Sequence, residues 1–177
     1  LSLPLSYHFL AFHRVTDARI PTFGKRCDRR ARRGIFVQVD SQFKILYAAF
    51  VHRTNRGQAA GGVRFWTYAD VAAFLSDGLR LSQGMTFKNA LAGLWWGGGK
   101  GLITRPEDVD FHDSDIRRLI FSRYGEFISS IRGCYVTAED VGTLPADIDV
   151  IHSATRFTTC ISPVSYTHLR AHETNVD

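Results

Sequence analysis

The chain has few of the features that mark a secreted, disulfide-stapled or membrane-spanning protein. Its 177 residues hold three cysteines, Cys27, Cys134 and Cys160, which are odd in number, far apart and without a CxxC pair. That pattern argues against a disulfide framework and a structural zinc site, and fits a reducing, cytoplasmic compartment. There is no run of about 18 apolar residues, so no membrane-spanning helix is expected. The opening LSLPLSYHFLAF is mildly apolar but has neither a charged n-region nor a small-residue cleavage site, and it does not start with Met. It reads as an imprecise boundary rather than a signal peptide. Internal repeats and low-complexity tracts are also missing, which leaves one ordinary domain as the expectation for this length.

Charge is present, but unevenly. The formal net charge is +5 and the isoelectric point about 9.4, values that invite a nucleic-acid reading. The excess is local: residues 1–34 carry eight Lys/Arg against Asp17 and Asp28, and the rest of the chain sums to −1. A basic run without interleaved aromatics or a recognition helix is ordinarily a solvated segment, so no nucleic-acid partner is expected. A basic nucleic-acid-binding protein would instead show salt-sensitive binding that disappears when residues 1–34 are removed.

Periodicity supplies the elements. GIFVQVD and QFKILYAAFVHR, rich in Val, Ile, Phe and Tyr, read as two strands joined at Asp40-Ser41, and GGVRFW (61–66) as a third. From Thr67 the spacing changes to that of a helix, with Val71, Phe74, Leu75 and Leu79 on one face, Thr67 as its cap and Gly84 as its stop. A second helix is expected over 113–132, capped by Asp113, ended by Gly133, and apolar at Ile116, Leu119, Ile120, Tyr124, Phe127, Ile128 and Ile131. CYVT reads as a short strand, AEDVG as a loop, and a further helix begins near Pro145. Strands alternating with helices predict an α/β fold, a mixed, mainly β-sheet flanked by helices.

Two lysines stand out in GMTFKNALAGLWWGGGKG (84–101). Lys88 and Lys100 lie in an apolar, glycine-rich run with no acid beside them. A lone lysine ordinarily snorkels to water. Glycines on both sides of Lys100, however, allow backbone and ligand to approach, and a lysine lining such a cleft loses hydration and becomes a usable base. GGGKG is a poor Walker loop, lacking the first glycine and the Ser/Thr after the lysine, and it is not GxGxxG either. Downstream, Glu139 and Asp140 follow a strand and precede a turn, where Asp140 is either a carboxylate for chemistry or a cap for the next turn. Two lysines and an Asp suit one cation for a substrate carboxylate, one neutral amine as base and one carboxylate as proton shuttle.

In this order and spacing, AAGGVRFW, LRLSQGMTFKNALAGLWWGGGKGLI and YVTAEDVG resemble the N-terminal catalytic domain of the glutamate/leucine/phenylalanine/valine dehydrogenase family, over about Gly34 to Pro163. The resemblance implies oxidative deamination of an L-amino acid to its 2-oxo acid and ammonia with NAD or NADP. It implies that Lys88 binds the substrate α-carboxylate, with Gly61, Gly62 and Met85 shaping that site, that Lys100 activates water, and that Asp140 exchanges protons with the amino group. In the glutamate-specific branch a lysine ordinarily stands where this chain has Ala60. The lack of that cation points to an apolar, branched-chain substrate and to the leucine dehydrogenase side of the family, because a buried side-chain carboxylate would be unpaired.

The family carries its cofactor on a second, Rossmann-type domain that these residues do not contain. The expectation is therefore a fragment, inactive alone, that forms homo-oligomers. VSYTHLRAHET (164–174) resembles a translated sequencing adaptor, so 164–177 is expected to be a non-native tail, 1–33 a disordered or mistranslated segment, and 34–163 the domain. His168 and His172 carry no zinc expectation on that account, and His8, His13, His52, His112 and His152 show no metal spacing. The alternative from another class is a cofactor-free amino-acid binding or assembly domain.

Overall fold

The computed structural model describes residues 33–159. Expectations that fall on 1–32 and 160–177, the basic segment, the tail and its histidines among them, lie outside the described residues. Five strands, β1 (Gly34–Asp40), β2 (Ile45–Arg53), β3 (Ala59–Trp66), β4 (Gly97–Thr104) and β5 (Tyr135–Ala138), form one mixed sheet in the order β1-β2-β4-β3-β5. The β1/β2 and β2/β4 pairs are antiparallel, whereas β3 runs parallel to both β4 and β5. The fold expected from the sequence is the fold observed.

The helices divide unequally between the two faces. Helices α2 (Ser114–Ser130) and α3 (Pro145–Ala154) cover one face and complete a core of eighteen buried residues, with Tyr47, Phe65, Phe121, Tyr124, Phe127 and Tyr135 at its centre. Helix α1 (Val71–Leu91) crosses the other face, where Ala48, Phe50, Phe74 and Leu102 alone make the buried cluster. Each fully buried Phe or Leu contributes about 1.5–3 kcal/mol. The α2/α3 face therefore carries most of the stabilisation, and the α1 face has room for polar groups.

Two local expectations are corrected. The cap of α1 is Asp70, whose Oδ1 accepts from the Ala73 amide at 2.7 Å, while the Thr67 hydroxyl donates to the Arg105 carbonyl. Gly84 does not stop α1. An interior glycine costs about 1 kcal/mol relative to alanine, and contacts of Met85, Thr86 and Asn89 with β3 and β4 outweigh that. The helix ends instead at Gly93, φ +68°, with the Leu94 amide donating to the Asn89 carbonyl and the Gly93 amide to that of Ala90.

The sequence pattern assigns no element to GGGKGLIT, which forms the central strand β4 despite low strand propensity. Its glycines are required by crowding. A Cβ at Gly97 would overlap the Arg53 carbonyl oxygen and one at Gly98 the Thr86 backbone, while at Gly99 it would lie 2.6 Å from the Tyr135 ring. Glycine within a strand marks close approach of a neighbour, and here neighbours press from both faces.

Candidate functional site

Side chains alternate across a strand, so β4 divides its residues between the two faces. Gly98 meets Thr86 of α1, and Leu102 packs with Phe50 and Phe74. Lys100 lies midway between them and projects to the same α1 face. It is 4% exposed and pairs across the ladder with Phe50. Its Nζ donates to Asp140 Oδ2 at 2.6 Å. The acid absent from its sequence neighbourhood is thus supplied by the loop after β5.

That loop is held firmly. The Thr143 hydroxyl donates to the Asp140 carbonyl at 2.6 Å and stands 2.9 Å from its amide, and the Phe65 amide donates to the Val141 carbonyl. Asp140 does not cap the following helix. The N-cap of α3 is Leu144, whose amide donates to Asp147 Oδ2. The Asp140 carboxylate is turned to the sheet instead, where Arg64 Nε also donates to Oδ2, at 3.3 Å.

Burial and charge set the protonation of the pair. Loss of hydration lowers the Lys100 ammonium below the ordinary lysine value of 10.5; Asp140 pulls it back in part and the Arg64 charge pushes it down further, leaving it lowered. For Asp140 burial works upward, but the hydrogen bond and charge of Lys100, with the charge of Arg64, hold the carboxyl below its usual 3.8. Asp77 is likewise held down, with burial outweighed by Arg80, Tyr68 and Arg64.

A carboxyl depressed in the folded state stabilises fully above its unfolded value, and that contribution is lost as pH falls through the folded one. Thermal midpoints followed by circular dichroism should therefore fall steeply below about pH 4, and Asp140→Asn should flatten that acid limb. An unchanged slope in the variant would remove Asp140 from the linkage.

The remaining expected residues fall on the same face. Lys88 is exposed in the last turn of α1 and, among the described residues, has no ion-pair partner. It lies eleven residues after Asp77, three turns along the same flank, about 16 Å away by helical rise. Met85, one turn before it, packs on Gly61, where an added Cβ would lie 3.1 Å from Met85 Cγ. The carbonyls of Gly61 and Gly62 both accept from Tyr135 Oη, at 2.6 and 3.1 Å. An added Cβ at Gly62 would lie 2.6 Å from Asp140 Cβ. Half-buried Ala60 pairs with Gly98, and its carbonyl is 3.5 Å from Asn89 Nδ2.

The structure thus joins Lys100 to Asp140 and sets Gly62 beside Asp140, with Met85 against Gly61. Lys88 forms no ion pair with Asp140, and it lies two residues beyond Thr86, which meets Gly98 of β4. Two surface hollows, one lined by Gln42, Asp108 and Ile116 among others and one by Trp66, Thr67 and Arg105, contain none of these residues. Sequence reasoning passed over Arg64, Asp77 and Tyr68. The available signal was Arg64 itself, a cation inside the apolar strand GGVRFW.

Dinucleotide phosphates find no cradle here. The β3-α1-β4 unit has the connectivity of a nucleotide-binding βαβ, but its first turn, Thr67 to Asp70, has no glycine, and Asp70 puts negative charge at the helix start. Among the described residues no cluster of His, Cys, Asp and Glu suits a metal ion, and no helix is long and apolar enough to cross a membrane.

Known proteins match the chain along this region. The family described as "Glu/Leu/Phe/Val dehydrogenase, dimerisation domain" matches residues 35–157. Leucine dehydrogenase from Thermoactinomyces intermedius is 47% identical over 113 residues, 64% of this chain and 30% of that protein. Valine dehydrogenase from Streptomyces albus is 45% identical over 114 residues, again 64% of this chain and 30% of that protein. Among solved structures, L-tryptophan dehydrogenase from Nostoc punctiforme superposes with a TM-score of 0.63 at 29% identity, over 73% of this chain and 36% of that one. The chain spans about 30% of the length of the curated relatives it matches.

Proposed function

The chain belongs to the Glu/Leu/Phe/Val dehydrogenase family, and from that premise we propose that it is the substrate-handling part of an amino-acid dehydrogenase. The reaction is oxidative deamination of a branched-chain or other apolar L-amino acid to its 2-oxo acid and ammonia. The observation that carries this reading is the buried Lys100 amine 2.6 Å from Asp140, on the sheet face that also bears Lys88.

The family implies a nicotinamide cofactor, which supplies the hydride acceptor. We assign NAD or NADP to the remaining length of polypeptide that the relatives possess. The residues described here handle charge and protons. Lys88, exposed and without an acid partner among the described residues, takes the substrate α-carboxylate. Asp140, held ionised, accepts a proton from the substrate amino group. Lys100, with its ammonium disfavoured by burial, takes the proton of a water that adds to the α-carbon once loss of hydride has turned the amine into an imine. Ala60 offers a methyl where a side-chain carboxylate would need a cation, which favours leucine or valine over glutamate. A homo-oligomer fits the family's dimerisation domain, and a cytoplasmic setting fits the sparse cysteines.

The test is NADH or NADPH formation by the full-length gene product with leucine, valine, phenylalanine and glutamate. Turnover with leucine or valine is expected, and Lys88→Met should raise KM by about tenfold to a hundredfold, the loss of one charge-assisted hydrogen bond. Leucine binding without turnover would favour the cofactor-free binding domain. Activity on glutamate alone would sink the inference from Ala60.

A further inference from the structure

Arg64 leaves β3 on the α1 face and uses its two arms differently. Nη1 donates to Asp77 Oδ2 of α1 at 3.0 Å, and Nε donates to Asp140 Oδ2 at 3.3 Å. Asp77 is itself anchored: the Tyr68 hydroxyl donates to Oδ2 at 3.0 Å and Arg80 Nη2 to Oδ1 at 2.6 Å. The side chains of Arg64, Asp77 and Asp140 are 22%, 16% and 24% exposed, so these contacts are largely shielded from solvent. Lys100 and Arg64 converge on a single oxygen of Asp140. A planar guanidinium can hold two carboxylates in fixed directions, which a lysine ammonium on a flexible stem does not.

We propose that Arg64 is a positioning residue of this site, braced by Asp77 and Tyr68, which fixes the Asp140 carboxylate and competes with Lys100 for its Oδ2. The brace divides the attraction of Asp140 between two cations, so Lys100 is held in place without being locked as an ammonium. The charged and titratable groups around it are Lys100 from β4, Asp140 after β5, Asp77 and Arg80 from α1, and Tyr68 from the β3–α1 connection. Tyr135 of β5 adds a neutral hydroxyl from beneath the sheet. The inference rests on the reading of Lys100 as a base.

The sequence contains four lysines, Lys25, Lys44, Lys88 and Lys100, so their ε-methylene signals can be titrated together by heteronuclear NMR on the chain without cofactor. In the parent, Lys100 should titrate below the ordinary lysine value of 10.5. Removing a like charge a few ångströms away raises a lysine midpoint, here by on the order of half a unit to one unit for Arg64→Gln. Asp77→Asn removes an attracting charge and should move Lys100 the opposite way, further down. Arg64→Lys, which restores the charge, should return the midpoint toward the parent value.

The opposed signs separate positioning from mere support, because unfolding would carry Lys100 up to the ordinary lysine value in every variant. If Arg64→Gln fails to fold, the downward shift in Asp77→Asn remains the test. A stable Arg64→Gln protein whose Lys100 midpoint is unchanged or lower overturns the role of Arg64 alone. A parent in which Lys100 titrates at the ordinary lysine value overturns the base reading and this inference together. Neither result depends on turnover, so failure of the dehydrogenase assay is a separate outcome.

Discussion

Lys100→Met in the full-length polypeptide should lower kcat by about 10²–10⁴-fold, the usual contribution of a positioned acid or base, while the thermal midpoint holds or rises. The two effects come from one fact. The amine is 4% exposed at the centre of β4, so its ammonium has lost hydration that a single hydrogen bond to Asp140 restores only in part. The folded-state value lies below 10.5, which means the charged form is disfavoured at every pH below that depressed value and the penalty fades as pH rises toward 10.5. Methionine matches the stem without the charge and removes the penalty. Asp140 loses its nearest partner but keeps Arg64 and some access to water, so its carboxylate is not stranded. Leucine binding should stay within a few fold, because the substrate carboxylate is assigned to Lys88 and not to Lys100. Calorimetry of leucine binding and initial-rate kinetics check the two halves. A variant with equal losses in KM and kcat, or with a midpoint lowered by many degrees, would mean that Lys100 holds the site together rather than acting in it.

The residues that disclosed themselves in the sequence are those whose surroundings contradict their chemistry. Lys88 and Lys100 are cations in apolar, glycine-rich sequence, and Asp140 follows a strand at a turn, so each could be singled out before any contact was visible. The pairing of Lys100 with Asp140 could be expected only through resemblance, since forty residues separate them and no periodicity links them. The strands with β-branched or aromatic alternation, β1 to β3, were readable from propensity, as was α2 from its apolar face and Asp113 cap. The misses share a cause in tertiary structure. GGGKG gives no strand signal because glycine has low strand propensity, yet the clashes that exclude larger residues lie on α1, α2, β5 and the end of β2 with the turn after it. Gly84 reads as a stop because the ties that carry α1 onward, Asn89 to Gly97 and Met85 to Gly61, are to strands that flank it in space. Arg64 stayed hidden for the same reason, as its two carboxylates come from elements 13 and 76 residues away.

Gly98→Val should be the most damaging change to the fold, lowering stability by about 3 kcal/mol or more and the thermal midpoint by about 10 °C or more. The added Cβ would overlap the Thr86 amide and hydroxyl and come within 2.6 Å of Thr86 Cα. The obstacle is mainly the backbone of α1, which cannot rotate away as a side chain would. Relief requires lifting the C-terminal half of the helix, and that would break the Asn89 Nδ2 donation to the Gly97 carbonyl at 2.7 Å and the His52 contact with the Thr86 hydroxyl at 2.8 Å. It would also displace Lys88, two residues after Thr86, so leucine binding should weaken even in the fraction that folds. Gly84→Ala on the same helix is the control with the opposite sign. Nothing lies within 4 Å of a Cβ there, and alanine should stabilise α1 by up to about 1 kcal/mol. Thermal melts of the two variants side by side measure whether the β4 glycines are demanded by packing. Equal and small effects at both positions would mean that α1 rests loosely on the sheet, and the placement of Lys88 by the Thr86–Gly98 contact would fall with it.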